Sequence, residues 1–283
     1  MHRLFSFFIV FVALVFLVSR PSAAANYQFE KVADGVYAAI AAPAGKAASN
    51  AMIIITKDQV LLAGAHFSPE GTTELLAEIA RLTTLPLRYV ILTHHHKGFN
   101  HIDFNFPKNV EIVTSWQTWQ SLKGEYRELS NPVMFFDKGL TLQRNGVSIV
   151  LSNTGFGHSR GDVFIYMPGP GVLFTSDLVY NDVIGYMGDG DLREWAVILE
   201  ILGSLDARTV IPGLGKVTDS SGIQRFTRFY RDFTTEVLRY VEKGATLAQL
   251  KKNFRLADYE HLPGYKTFRD VNLERAYQEL KEK

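Results

Sequence analysis

Hydrophobic and polar positions in the first half of the chain alternate in short blocks that are typical of β strands. Stretches rich in β-branched and aromatic residues, bounded by Gly, Asn and Asp, predict strands at residues 27–32, 35–40, 51–56, 59–62, 88–93 and 110–114. A helix is predicted over residues 69–82, because Ser68 is a favourable N-cap and Leu75 and Ile79 recur on one face. A further helix is predicted from Ser115.

The second half repeats this order of strands followed by helices. Asn145 and Gly146 form a typical two-residue hairpin turn between strands at residues 140–143 and 147–151. Further strands are predicted at 163–167, 172–175 and 209–211, helices at 192–205 and 220–242, and surface helices at 247–253 and 270–283. Two such halves predict an α/β (α+β) protein in which two sheets pack face to face and helices cover their outer faces. Because no low-complexity linker separates the halves, we predict a single domain over residues 26–283.

The first residues have the pattern of an export signal. Arg3 precedes a run of fifteen residues at positions 4–18 that is apolar except for Ser6, and small residues at 23–25 follow Arg20 and Pro21. We therefore expect a signal peptide over residues 1–25, cleaved near Ala25, and a periplasmic or secreted protein. The apolar run is shorter than the about 20 residues that cross a bilayer, so no stable membrane insertion is expected after cleavage. An uncleaved anchor is the alternative.

Composition narrows the classes of function. The chain is 47% hydrophobic, which suits a substantial core. It has 30 basic and 29 acidic residues; without Arg3 and Arg20 the balance is 28 against 29, or −1. A near-neutral chain without a long basic run indicates no nucleic-acid partner. Because there is no cysteine, the chain has no disulfide, and any metal must be bound by His, Asp or Glu.

Candidate chemistry is concentrated where predicted strands end. Extended residues two apart point to the same side, so His94 and His96 can share one ligand while His95 points away. A single histidine at a strand end is usually a hydrogen-bonded surface residue, so the specific signal is the ordered set. The segments are Thr-His-His-His at 93–96, Gly-His-Ser-Arg-Gly-Asp at 157–162, Phe-Thr-Ser-Asp at 174–177 and Val-Ile-Pro-Gly-Leu-Gly at 210–215.

In their order, these segments resemble the marks of the metallo-β-lactamase superfamily. Those marks are Thr-His-x-His-x-Asp-His, Gly-His-Ser/Thr-x-Gly-Asp, Phe-Thr-Gly-Asp and Pro-Gly-His-Gly. The resemblance runs from about Phe29 to Arg228 and implies a four-layer αββα sandwich. It also implies that His94, His96 and His158 bind the first metal of that family, and that Asp177 is the carboxylate that bridges two metals.

The chain departs from the family at its second metal site. The positions that the resemblance assigns to the three remaining ligands are Gly98, Phe99 and Leu214, and a supporting aspartate is replaced by Ala63. None of these side chains coordinates a metal. The resemblance therefore implies one zinc ion and the loss of the second site.

The ligands that remain form a set that is chemically consistent with hydrolysis. Three neutral imidazoles and a water molecule form a known catalytic zinc arrangement, which lowers the pKa of that water towards about 7. Asp177 is either a fourth ligand or the catalytic base. We expect His101, Asp162 and His66 to support the site from outside the ligand shell or to lie at the surface.

Other residues near the motifs are given structural roles. His101 and Asp103 lie just beyond the lost ligands; the alternatives are that they partly replace those ligands or that they face solvent, and solvent exposure is favoured because residues two apart on a helix point apart. Four aromatic residues are expected in the core rather than at the mouth of a pocket: Trp116, Trp119, Phe135 and Phe136.

Two functions remain open at this point. The first is an exported zinc hydrolase that acts on a small ester, thioester or lactam-like substrate, with Asp177 as its catalytic carboxylate. The alternative is a catalytically inactive protein of the same fold that serves as a binding or accessory protein for a protein partner. The substrate is not predicted, because one fold carries many reactions.

Overall fold

The computed structural model describes residues 25–96, 106–122 and 131–282. The predicted signal segment, apart from Ala25, lies outside these residues. So do Gly98, Phe99, His101 and Asp103, and the predictions that concern them.

The first sheet has seven strands in sequence order across the sheet. The first four strands pair antiparallel, and the fourth to the seventh pair parallel. Its strands are β1 (Tyr27–Ala33), β2 (Val36–Ala41), β3 (Ala51–Ile55), β4 (Val60–Gly64), β5 (Leu87–Leu92), β6 (Glu111–Ser115) and β7 (Val133–Phe136).

The second sheet has five strands. They are β8 (Gly139–Arg144), β9 (Val147–Asn153), β10 (Val163–Met167), β11 (Val172–Tyr180) and β12 (Thr209–Leu214), in the order β12-β11-β10-β9-β8. All neighbours are antiparallel except β11 and β12. The predicted hairpin between β8 and β9 is confirmed, and Asn145 and Gly146 both have positive φ, at 49° and 84°, as a type I′ turn requires.

One apolar core lies between the two sheets. Ile54 and Ile91 of the first sheet belong to the same buried cluster as Ile149, Ile165 and Phe174 of the second. Because each strand also buries side chains on its opposite face, both sheets require a cover of helices.

Helices cover both outer faces, which confirms the four-layer αββα architecture. The first sheet is covered by α1 (Pro69–Leu82) and α2 (Trp116–Leu122). The helices at the second sheet are α3 (Leu192–Ser204), α4 (Ser220–Glu242), α5 (Leu247–Asn253) and α6 (Tyr265–Lys281). The predicted cap of α1 is confirmed, since Ser68 Oγ accepts a hydrogen bond from the Gly71 backbone at 3.2 Å.

The last two helices correct a prediction, because they are not surface helices. Leu250 of α5 and Leu273 and Ala276 of α6 are fully buried in the outer core. Helix α6 also begins at Tyr265, five residues earlier than predicted. Its few apolar residues do not form a single stripe, so contact with α3, α4 and α5 decides what they bury.

Strand β7 and two of its aromatic neighbours also differ from expectation. β7 was not predicted, and it lies at the edge of the first sheet. Trp116 and Phe135 are 39% and 51% exposed and their ring centroids are 4.7 Å apart, so placing them in the core was wrong. They cover each other at the sheet edge, where no further strand packs against them in the described residues.

Across the residues that the structure describes, no helix combines the length and apolar character that crossing a bilayer requires.

Candidate metal centre

Three histidines from two loops meet at one edge of the sandwich. His94 and His96 follow β5, and His158 lies in the loop before β10. Backbone hydrogen bonds join these loops: Thr93 N donates to Gly64 O at 3.0 Å, and Val163 N donates to Thr93 O at 2.7 Å. The sequence thus places the histidines at strand ends, and the backbone pairing brings those ends together.

The imidazole rings form a compact buried cluster. Ring centroids are 5.1 Å apart for His94 and His96, 4.8 Å for His94 and His158, and 4.4 Å for His96 and His158. His96 Nε2 lies 2.5 Å from His158 Nε2. All three residues are at most 2% exposed. The three ring nitrogens therefore face one small common volume and form a group of potential ligands for a single metal ion.

Polar groups contact the other ring nitrogens and orient the cluster. His96 Nδ1 is 2.7 Å from Asp189 Oδ2, and His158 Nδ1 is 3.4 Å from the Tyr180 hydroxyl. His94 Nδ1 lies 3.4 Å from both the Thr93 and the Ser176 hydroxyl oxygens. His94 Nε2 is buried without a hydrogen-bond partner in the described part of the chain. Such partners on Nδ1 leave Nε2 as the nitrogen offered to a metal.

Burial keeps His94 and His158 in the neutral form that binds metal. The pKa of His94 lies well below its usual range, first because of burial and then because of the neighbouring His158 and His96. The pKa of His158 is also well below its usual range, because of burial and then His96. Both imidazoles are therefore neutral at neutral pH, with a lone pair available for a cation.

Asp177 contributes the carboxylate of the cluster. Its Oδ2 lies 3.9 Å from Nε2 of His94 and 3.8 Å from Nε2 of His158. The prediction that Asp177 ends a strand is wrong, because β11 continues to Tyr180. The pairing with β12 shifts at Ser176, whose φ of 48° is in the left-handed region. This irregularity lets the strand continue while the register changes beside Asp177.

Gly213 allows β12 to approach Asp177 closely. A β-carbon at this position would lie 2.6 Å from the Asp177 backbone nitrogen and would also overlap the carboxylate. Asn50 holds the same segment, since its Nδ2 donates to Pro212 O and Gly215 O at 2.8 Å each. The glycine of the fourth motif is therefore needed for packing against Asp177.

Asp162 holds the loop that carries His158. Its carboxylate accepts hydrogen bonds from the Ser159 backbone at 2.9 Å and from the Ser159 hydroxyl at 2.5 Å. Burial raises the pKa of Asp162 to about 6, although both Ser159 hydrogen bonds act in the opposite direction. Asp162 was predicted to support the site from outside the ligand shell, and in the structure it contacts the loop that carries His158.

His66 lies closer to the cluster than a surface residue would. Its side chain is 13% exposed, and its Nε2 is 3.9 Å from Asp177 Oδ2. Its ring centroid is 5.6 Å from that of His94. The loop after β4 therefore brings a fourth histidine to Asp177.

Leu214 is the position at which the resemblance assigns a ligand of the second metal. It is half-buried against the outer core and lines a cavity of about 760 Å³. The cavity is bounded by the loop after β2 and by the loop after β12, with Lys216 and Arg225 at its wall. The position of that family ligand therefore holds an apolar side chain beside an open cavity.

Sequence reasoning missed Asp189 as the partner of His96. The two residues are 93 positions apart, and Asp189 lies in the loop between β11 and α3. The hydrogen bond to His96 holds the pKa of Asp189 below its usual range. No motif spacing signals this pair, because it depends on how that loop folds over the histidines.

The sequence pattern of the metallo-beta-lactamase superfamily matches residues 44–214, more than half of the chain. The chain belongs to this superfamily. Metallo-beta-lactamase IND-1 of Chryseobacterium indologenes is 24% identical over 171 residues, which are 58% of this chain and 71% of that protein. Members of the superfamily are hydrolases, and the three-histidine cluster with Asp177 is a candidate metal site in the expected place.

Solved structures of metallo-beta-lactamases have the same fold. The enzyme from Pontibacter korlensis matches with a TM-score of 0.61 and 23% identity, covering 72% of this chain and 99% of that one. DIM-1 matches with a TM-score of 0.60 and 21% identity, covering 74% and 98%. TMB-1 matches with a TM-score of 0.63 and 19% identity, covering 75% and 100%. These structural similarities support the four-layer αββα architecture.

Proposed function

We propose that this chain is an exported, zinc-dependent hydrolase that acts on a small ester, thioester or lactam-like substrate. The observation that carries the proposal is the convergence of three buried imidazoles and one carboxylate at a single point of a hydrolase fold. A cation would stabilise this group, because His94 Nε2 has lost contact with water without gaining a hydrogen bond in the described residues.

The donor set fits a zinc ion on chemical grounds. His94 Nε2 is buried without a hydrogen bond in the described residues, as expected of an atom that a cation completes, and Asp177 Oδ2 lies 3.9 Å from it. Zinc binds imidazole nitrogen and carboxylate oxygen, and this chain has no thiolate to offer. His94, His96 and His158 would hold the ion. When bound, zinc polarises a substrate carbonyl and makes a water molecule more acidic.

Three aspartates would have separate roles around the ion. Asp189 holds His96 with its Nε2 towards the centre, and Asp162 holds the loop that carries His158. Asp177 Oδ2 faces the same volume and accepts the proton of the attacking water. Burial of the three histidines, Asp162 and Asp177 excludes bulk water and strengthens the electrostatic contacts among them.

The cavity beside Leu214 is our candidate for the substrate-binding site. Its volume of about 760 Å³ falls within the range typical of sites for small molecules. It adjoins the segment in which Gly213 contacts Asp177. A substrate seated there would meet an apolar wall at Leu214 and positive charge at Lys216, whereas Arg225 is paired there with Asp182.

The alternative, an inactive binding protein, is not favoured. A site that no longer binds metal is free to lose its ligands and their supporting contacts, and here both are present together. The hydrogen bonds that orient His96 and His158 support the proposal that this cluster binds a cation.

Hydrolysis of a panel of lactones, thioesters and β-lactams tests this function. Wild-type chain with zinc is expected to turn over at least one class, whereas His158→Ala and the zinc-stripped chain are expected to fall to background. His261→Ala is the matched control, because His261 is exposed and distant in sequence from the motifs. Equal background rates for wild type, His158→Ala and stripped protein on every substrate would favour the binding-protein alternative.

Export is tested separately by the mass of the mature protein. Cleavage near Ala25 predicts a chain that begins close to Asn26 and is recovered outside the cytoplasm. Recovery of the full-length chain in the membrane fraction would support an uncleaved anchor instead.

A further inference from the structure

We propose that His66 is a metal ligand that, together with Asp177, forms a second and weaker metal position beside the three-histidine position. This inference rests on the proposed metal centre, and it adds to it a ligand from outside the family's four motifs. It follows from the geometry of His66, Asp177 and His94, which form a second group of potential ligands with their atoms within 4.8 Å of one another.

The distances suit an ion between His66 and Asp177. His66 Nε2 and Asp177 Oδ2 are 3.9 Å apart. Zinc lies about 2.0–2.2 Å from an imidazole nitrogen or a carboxylate oxygen, so one ion between these atoms contacts both after only a small rotation. Their side chains are 13% and 9% exposed, which leaves an opening for water molecules to complete the coordination.

Asp177 has the capacity to serve both positions. Its Oδ2 is nearly equidistant from Nε2 of His66, at 3.9 Å, and Nε2 of His158, at 3.8 Å. Oδ2 is thus the oxygen that faces the histidines, whereas Oδ1 lies on the side of Gly213. An ionised carboxylate oxygen has two lone pairs, so Oδ2 has the capacity to contact one ion on the side of His158 and another on the side of His66.

Backbone hydrogen bonding and core packing fix the direction of the His66 side chain. Thr93 N donates to Gly64 O, which joins the end of β4 to the start of the first motif. Ala65 and Phe67, on either side of His66, are 2% and 1% exposed, and the Phe67 ring packs against Phe106 with centroids 5.3 Å apart. With both neighbours anchored in the core, His66 is held on the side that faces Asp177.

The second position is the weaker one because it has fewer protein ligands. The nitrogen lone pair of His94 Nε2 binds one ion, and the three-histidine position uses it together with His96 and His158. This leaves His66 and Asp177, with water molecules, for the second ion. Leu214, the position at which the resemblance assigns a ligand of the second metal, is apolar. His66 instead approaches the carboxylate from the loop after β4.

The test is a titration of the zinc-stripped full chain with Co²⁺, read by visible absorption and by native mass spectrometry. Wild type is expected to bind a first equivalent tightly and a second at least tenfold more weakly. His66→Ala is expected to lose the second equivalent and to keep the affinity for the first within about threefold. His158→Ala is expected to lose the first, and His261→Ala is the control that binds like wild type.

The outcomes separate this inference from the proposed function. A second equivalent that persists in His66→Ala overturns the second position, and so does a wild-type chain that binds only one ion at millimolar Co²⁺. A His66→Ala chain that loses the first equivalent as fully as His158→Ala also overturns it. If wild type binds no ion at all, the metal centre itself fails. Thermal unfolding of the stripped variants checks that each is folded.

Discussion

Asp189 Oδ2 lies 2.7 Å from His96 Nδ1, and this contact joins the loop after β11 to the first histidine motif. A carboxylate at this distance fixes the proton on Nδ1 and leaves the Nε2 lone pair facing His158. Asp189 is about half exposed, so this negative charge costs little to maintain. The contact explains how His96 is oriented although its motif provides no partner for it.

Asp189→Asn is expected to weaken zinc binding by 10- to 100-fold, because the loss of an outer partner of a metal-binding histidine usually has this effect. The measurement is competition with a chromophoric chelator at neutral pH. Asp182→Asn serves as the control, since Asp182 is exposed and pairs with Arg225. An unchanged zinc affinity in Asp189→Asn would show that the contact does not orient His96.

Asp177→Asn is expected to lower kcat by 10²- to 10⁴-fold on any substrate that the wild type hydrolyses. The amide has nearly the same shape, but it cannot accept a proton or offset the charge of a cation. Rates and zinc content should be measured on the same preparation. If the variant keeps full activity, Asp177 is not the catalytic carboxylate.

Gly213→Ala is expected to destabilise the chain by about 1–3 kcal/mol, because the added methyl group overlaps the Asp177 backbone as well as its carboxylate, and the backbone of a buried strand cannot move aside. Urea unfolding of the metal-free protein measures this loss. Gly203→Ala is the matched control, since nothing lies within 4 Å of its added β-carbon and alanine favours its helix. Equal stability of the two variants would contradict the close packing at Gly213.

Asp162 predicts a pH dependence of stability in the metal-free protein. Burial raises its pKa to about 6 in the folded chain, against an ordinary value of 3.8. The folded state therefore binds this proton more tightly, and the contribution of Asp162 to the free energy of unfolding decreases as pH rises from about 4 to about 6. The expected slope is at most about 1.4 kcal/mol per pH unit.

Asp162→Asn should remove this slope, and the difference between the two unfolding profiles isolates it from the histidines. His94 and His158 act in the opposite direction in both proteins, since their lowered pKa values reduce stability as pH falls below about 6.5. Profiles that stay parallel between pH 4 and pH 6 would show that Asp162 keeps an ordinary pKa.

The local pattern of the sequence determined most elements of the sandwich. The bounds of α1, α4 and α5 agree with prediction, because their caps and apolar spacing are properties of neighbouring residues. Alternation in strands likewise places His94 and His96 on one side of an extended segment, and the ordered motifs indicated His158 and Asp177 as their partners.

Only the tertiary structure decided which further groups complete the centre. Asp189 and His66 reach it from loops whose path depends on the packing of distant elements, and neither belongs to a motif. The strand β7 and the early start of α6 have the same origin, because an edge pairing and a buried helix face depend on partners far along the chain. Caps and periodicity are set between near neighbours, whereas the environment of a metal site is set by side chains that folding brings together.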